Sequence, residues 1–98
     1  MGYTIYFSRE FEKTYSKLDA SEKQWIHKTF TQLEFSPLGK PLHFAWFREK
    51  KYLDKRLYSL VDEHLQMIFI IDFSSKKEQQ KIISFVLENM SKLLLYLK

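Results

Sequence analysis

The hydrophobic positions along the chain change period several times, and each change marks an element. Residues 3–7 alternate, with Tyr3, Ile5 and Phe7 on one side and Thr4 and Tyr6 on the other, the period-two pattern of a short strand. Phe7, Phe11, Tyr15 and Leu18 then follow at helical spacing, with Arg9, Glu10, Glu12, Lys13 and Lys17 on the other face and Ser8 placed to cap the first turn. Asp19-Ala20-Ser21 breaks this stripe. Ser21 with Gln24 three residues later predicts a capping box for a second helix that buries Ile26, Phe30 and Leu33, flanked by Trp25 and Thr29. The helix should end at Ser36-Pro37, because proline drives the preceding residue out of the helical region. Two helices joined so tightly form an antiparallel hairpin.

Gly39 and two prolines turn the chain between Leu38 and Pro41. From Leu42 to Tyr52 the alternation is imperfect: His43, Ala45 and Phe47 face one way, Phe44, Trp46, Arg48 and Lys50 the other, so the charged half of this strand is expected to overhang a sheet edge. Lys55 to Val61 and Gln66 to Phe73 are rich in aromatic and β-branched residues and are separated by Asp62-Glu63-His64, a hairpin signal. Ser74-Ser75 opens a final helix in which Gln79, Ile82, Ile83, Val86, Met90, Leu93 and Leu97 recur at helical spacing. Phe85, Leu87, Leu94 and Leu95 make its apolar face wider than one packing surface needs. That surplus suggests a second contact, a dimer through the C-terminal helix or a protein partner, although a well-covered core helix reads the same way. The fold expected is α+β: a small antiparallel sheet built from a strand, a helix hairpin and a three-strand meander, with helices packed on it and a C-terminal helix, all in one domain over residues 1–98.

Composition narrows the function. Ninety-eight residues support one modest core, and Lys and Glu alternating along the helices make part of the net charge of +4 solvated surface. Position is more telling than size. Lys40, Arg48, Lys50, Lys51, Lys55 and Arg56 face only Glu49 and Asp54, and Lys76 and Lys77 follow the last strand. Strand pairing would gather these cations at one sheet edge, where an anionic partner is the simplest reason for them. Cysteine is absent, which removes disulfides, thiol nucleophiles and thiolate metal sites and fits a reducing cytosol. The N-terminus reads as neither signal peptide nor membrane span, so no membrane partner is expected. His27, His43 and His64 do not cluster with carboxylates at ligand spacing, and Gly2 and Gly39 make no phosphate loop, so neither metal nor cofactor is expected.

The succession Tyr3-Thr4-Ile5-Tyr6-Phe7-Ser8, two helices, Ser36-Pro37-Leu38-Gly39-Lys40-Pro41-Leu42, Lys55-Arg56-Leu57-Tyr58-Ser59-Leu60-Val61, then an apolar strand and a basic turn, resembles the RelE/ParE toxin superfamily of toxin-antitoxin systems. The resemblance runs from Tyr3 to about Asn89. It implies a cytoplasmic toxin with a cognate antitoxin and, in the RelE branch, cleavage of mRNA on the ribosome by a metal-free mRNA interferase. Such cleavage requires a group to take the proton of a 2′-hydroxyl, cations for the charge growing on the phosphate and an acid for the departing 5′-oxygen. Arg56 matches the family's strand arginine, whose guanidinium can hold two phosphate oxygens and stays charged. Arg48 and Lys50 share a face and fall near the family's paired strand lysines once a loop is shortened by one residue; without that shift Glu49 takes one of those places.

Lys76 matches the basic residue after the last strand. If Ser75 and Glu78 form a capping box, Lys76 and Lys77 occupy the first helical turn, where the macrodipole disfavours them unless an anion binds there. The expected roles are therefore catalytic for Arg56, Lys50 and Lys76, and RNA phosphate binding for Arg48, Lys51, Lys55 and Lys77, each against the plainer reading of a solvated surface charge. One departure matters. The tyrosine or histidine of ribosome-dependent relatives has no counterpart in Glu78-Gln79-Gln80-Lys81-Ile82-Ile83, Tyr96 is too far along, and the three histidines read as structural. Two alternatives remain open: a ParE-like gyrase inhibitor that does not cleave, and an inactive basic RNA- or protein-binding module.

Overall fold

The computed structural model describes residues 2–37, 39–42 and 44–89. Along the chain these form β1 (Thr4–Phe7), α1 (Arg9–Ser16), α2 (Ala20–Phe35), β2 (Lys40–Leu42), β3 (Phe44–Tyr52), β4 (Lys55–Asp62), β5 (Met67–Ser75), a 3₁₀ turn (Lys76–Glu78) and α3 (Gln79–Glu88). The strands make one sheet in the order β1-β5-β4-β3-β2. The meander β3-β4-β5 is antiparallel as expected, but β1 runs parallel to β5, with Thr4 beside Met67 and Phe7 beside Ile70, so the sheet is mixed. The helix hairpin between β1 and the meander provides the long crossover that a parallel neighbour requires.

Side-chain alternation in the central strands builds two cores, one on each face. Leu57 and Val61 of β4 join Ile68, Ile70 and Phe73 of β5 beneath Phe11 of α1, Leu18 of the α1–α2 connection, and Ile26 and Leu33 of α2. Tyr58, Leu60, Phe47 and Ile71 face the other way, against Ile82, Ile83 and Val86 of α3. The β4–β5 ladder shifts between Tyr58 and Ser59, passing from Asp72 to Ile70 and leaving Ile71 as the extra residue, so Ile70 and Phe73, three positions apart, serve the same core while Ile71 serves the other. The result is a three-layer α+β arrangement, with the helix hairpin below the sheet and α3 above it.

Several boundaries differ from the sequence reading, each for a local reason. Ser8 caps α1 as expected, its Oγ accepting from the Phe11 amide at 3.0 Å. The cap of α2 is Asp19, not Ser21: Asp19 Oδ1 accepts from the Glu22 amide and the Glu22 carboxylate accepts from the Asp19 amide, while the Ser21 hydroxyl donates to the same Asp19 oxygen. These hydrogen bonds hold the Asp19 carboxyl below its ordinary pKa, the Glu22 amide contributing most. The turn expected over 38–41 carries instead a short edge strand, in which Lys40 and Pro41 pair with Glu49 and Arg48. Ser75 makes no capping bond, and Lys76–Glu78 form a 3₁₀ turn before α3, so the expected capping box and the helical first turn for both lysines are not there. His43, Met90, Leu93, Leu94, Leu95, Tyr96 and Leu97 lie outside the described residues.

Candidate functional site

The β3–β4 hairpin decides which cations can meet. It closes on the two residues Leu53-Asp54, and the ladder places Tyr52 opposite Lys55, Lys51 opposite Arg56, Lys50 opposite Leu57, Glu49 opposite Tyr58 and Arg48 opposite Ser59. Directly paired residues in an antiparallel ladder share a face. Lys51, Arg56 and Glu49 therefore lie on the α3 face, whereas Arg48 and Lys50 lie on the face that Leu57 gives to the core under α2. On the outer side of β3, Lys40 pairs with Glu49 and brings a further cation to the α3 face. The 3₁₀ turn after β5 adds Lys76, and Gln79 opens α3 beside it.

These residues surround a concave pocket of about 540 Å³, lined by Gly39, Lys40, Glu49, Lys50, Lys51, Arg56, Lys76 and Gln79. Its floor is an ion pair. Arg56 Nε lies 2.7 Å from Glu49 Oε1, and the two side chains are only 14% and 15% exposed. Gln79 Nε2 donates to the other carboxylate oxygen at 3.2 Å. Gly39 makes this arrangement possible: its φ is +107°, and a Cβ there would stand 2.5 Å from the Glu49 backbone oxygen. Two hydroxyls on the same face, Tyr58 Oη opposite Glu49 and Ser74 Oγ opposite Arg56, are buried with no hydrogen-bond partner among the described residues. Burial, reinforced by the Glu49 and Asp72 charges against the counteracting Arg56, pushes the Tyr58 phenol up to about 12.

Of the residues singled out in the sequence, Arg56, Lys76 and Lys51 come together, and Lys50 borders the same pocket although its ladder partner is on the opposite face. Arg48 does not join them. Its Nε donates to the Ala45 carbonyl at 2.6 Å and its guanidinium lies 3.6 Å from Glu63. Lys55 is bound to Glu22 of α2 at 2.5 Å and lies over the Phe73 ring, tying the helix hairpin to the sheet. Lys77 is exposed and outside the pocket lining. Glu49 and Gln79 line the pocket without having been expected there, and Lys40, expected only as part of the basic run, joins them. Counting back from a turn at Leu53-Asp54 places Glu49 on the Arg56 face, whereas Lys40 needs the β2–β3 pairing.

The arrangement suits an anion that needs several cations and offers more than one oxygen to a guanidinium, as a phosphodiester does. Among the described residues no three of His, Asp, Glu and Cys come together to hold a metal ion, and no helix is long and apolar enough to cross a membrane. His27 shares a 2.6 Å hydrogen bond with Tyr15 on the outside of the helix hairpin, and His64 is exposed in the β4–β5 turn, so neither reaches the pocket. A second concavity, about 680 Å³ between β5 and α3, is walled largely by Phe7, Phe69, Ile71, Ile82 and Phe85 and offers little to a phosphate.

The fold is that of the RelE toxins. A mutant of the E. coli toxin RelE in its free state matches with a TM-score of 0.75 at 19% identity, covering 91% of this chain and 98% of that one. A chain of the toxin-antitoxin complex RelBE2 from Mycobacterium tuberculosis matches with a TM-score of 0.65 at 21% identity, covering 78% and 100%. A chain of the archaeal RelE-RelB complex from Pyrococcus horikoshii gives a TM-score of 0.64 at 15% identity, covering 78% and 97%. No family model and no curated protein matches the sequence.

Proposed function

We propose that the chain is the toxin of a type II toxin-antitoxin pair, acting in the cytoplasm as a metal-free endoribonuclease on ribosome-bound mRNA and held in check by a cognate antitoxin. The RelE fold supports the class. The observation that carries the chemistry is the concave cluster of Arg56, Lys40, Lys51 and Lys76 around one carboxylate. In the reaction proposed, the Arg56 guanidinium spans two oxygens of the scissile phosphate, and Lys51 and Lys76 neutralise the charge that develops there. Glu49 is the carboxylate within reach of Arg56 and takes the proton of the 2′-hydroxyl. The 2′-oxygen then bonds to phosphorus as the bond to the 5′-oxygen breaks. A lysine at the rim supplies the leaving oxygen with its proton, leaving a 2′,3′-cyclic phosphate and a 5′-hydroxyl.

Arg56→Ala tests this reading. Removing one preorganised donor to a transition-state oxyanion lowers rate by about 10²–10³, so expression of the variant should no longer arrest growth or produce cleaved mRNA. Undiminished arrest would remove Arg56 from the mechanism. A non-cleaving, gyrase-binding reading has one observation in its favour: residues 78–83 supply no tyrosine or histidine for proton transfer. Inhibition of DNA supercoiling by the purified protein, with mRNA left intact, would favour it. Salt-sensitive RNA binding without either activity would indicate a basic binding module.

A further inference from the structure

Arg56 is not free in the unliganded protein. Its Nε is taken by Glu49, and Gln79 holds the second carboxylate oxygen, so the carboxylate already occupies the place of an anion in a pocket of five cationic side chains. Surface carboxylates in a basic patch ordinarily remain solvated, whereas both members of this pair are about six-sevenths covered. The two orphan hydroxyls flank the same pair: Tyr58 is the direct cross-strand partner of Glu49, and Ser74 that of Arg56. Buried hydroxyls without partners are uncommon and mark a place where another arrangement would satisfy them.

We propose that Glu49 is a built-in competitor for the pocket: in the free protein it closes on Arg56, and an RNA phosphate enters by displacing it. The exchange rests on the reading that this pocket takes RNA phosphate. It conserves the number of ion pairs, because Arg56 passes from carboxylate to phosphodiester and the released carboxylate accepts from the Tyr58 hydroxyl beside it. A monodentate or weakly held anion has little advantage over Glu49. A phosphate that also engages Lys40, Lys51 and Lys76 does. The pocket therefore discriminates in favour of a polyanionic strand.

The test is the affinity of the full-length protein for a short 2′-O-methyl RNA, which binds but lacks the attacking hydroxyl, measured at one fixed salt concentration. Glu49→Gln removes the competitor together with its charge. Glu49→Asp keeps the charge but shortens the arm that reaches Arg56. Both variants should bind about tenfold more tightly than the parent chain, about 1.4 kcal/mol, and the gain should vanish when each is combined with Arg56→Ala. If Glu49→Asp binds like the parent while Glu49→Gln binds more tightly, the effect is net charge and the competitor is overturned. A gain that persists in the Arg56→Ala background overturns it equally. If Arg56→Ala weakens binding but neither Glu49 variant strengthens it, the competitor fails while the RNA pocket stands. If Arg56→Ala leaves RNA affinity unchanged, the pocket reading itself fails. Thermal denaturation of each variant confirms that the comparison is between folded proteins.

Discussion

Replacing Tyr58 with Phe should stabilise the protein, against the usual direction of core substitutions. The ring is fully buried, and it packs with Phe47, Leu60, Ile82, Ile83 and Val86 between the sheet and α3. Its hydroxyl has no partner among the described residues. A hydroxyl moved from water into such surroundings without a hydrogen bond costs about 1–3 kcal/mol on protein mutational scales. Phe keeps the ring and its contacts while removing that term. Because the neighbouring Glu49 and Arg56 leave the surroundings partly polar, the low end applies, about 1 kcal/mol, which for a domain of this length raises Tm by roughly 4–8 °C.

The same residue sets an alkaline limit. Its folded pKa is raised, from 10 to about 12, so the protonated phenol is the form that the fold favours. Its contribution is fully present below pH 10 and is lost as pH rises toward 12. Tyr58→Phe should lose less stability than the parent chain across that window. Thermal and urea unfolding followed by circular dichroism, at neutral pH and again within that window, provide both comparisons. A variant less stable than the parent at neutral pH would show that the hydroxyl has a partner worth more than its desolvation, and the reasoning would be wrong.

On the proposed function, Arg48→Ala should reduce RNA cleavage less than twofold while Arg56→Ala abolishes it, because the two side chains root on opposite faces of the sheet; equal losses in a cleavage assay would contradict the ladder assignment. Gly39→Ala should destabilise by about 1–3 kcal/mol in urea unfolding and also weaken RNA binding, since the added carbon meets the backbone of Glu49 itself. Leu53→Gly should act in the opposite sense. Leu53 begins the two-residue β3–β4 turn at a φ of 54° and is 73% exposed, so removing its side chain relieves about 1 kcal/mol of left-handed strain with little packing lost. An unchanged or lowered Tm would count against it.

The amphipathic stripes of the helices were legible because their buried residues, Phe11, Ile26, Leu33, Ile82, Ile83 and Val86, recur at helical intervals that sequence alone displays. The β4–β5 hairpin was legible from the aromatic and β-branched residues of its strands and the polar Asp62-Glu63-His64 between them. What escaped was set by partners distant in the chain. Lys40–Leu42 reads as a turn in isolation and becomes a strand only because β3 offers it a ladder edge. Asp19 outcompetes Ser21 as a cap because its carboxylate reaches the Glu22 amide while Glu22 reaches back. At the candidate site, charge and resemblance point to Arg56, Lys51 and Lys76, which the structure places around one pocket, but separating Arg48 from them requires the strand parity, which follows from where the hairpin turns. In sequence Glu49 is one of two carboxylates interrupting a basic run. Its importance comes from being the one carboxylate in that run that the ladder turns toward Arg56.

On the proposed function, the parallel pairing of β1 with β5 has a bearing on when the protein becomes active. Thr4 finds its neighbour at Met67, so β1 has no ladder partner until synthesis has passed through β5. Long-range pairing of this kind is the slow kind. On the proposed function, a nascent chain stalled before β5 carries Arg56 but lacks the strand beside it and the Lys76 turn that complete the pocket. A cell making such a protein would be exposed to its activity only after the Lys76 turn has been made, which leaves an interval in which an inhibitor already present can meet the chain.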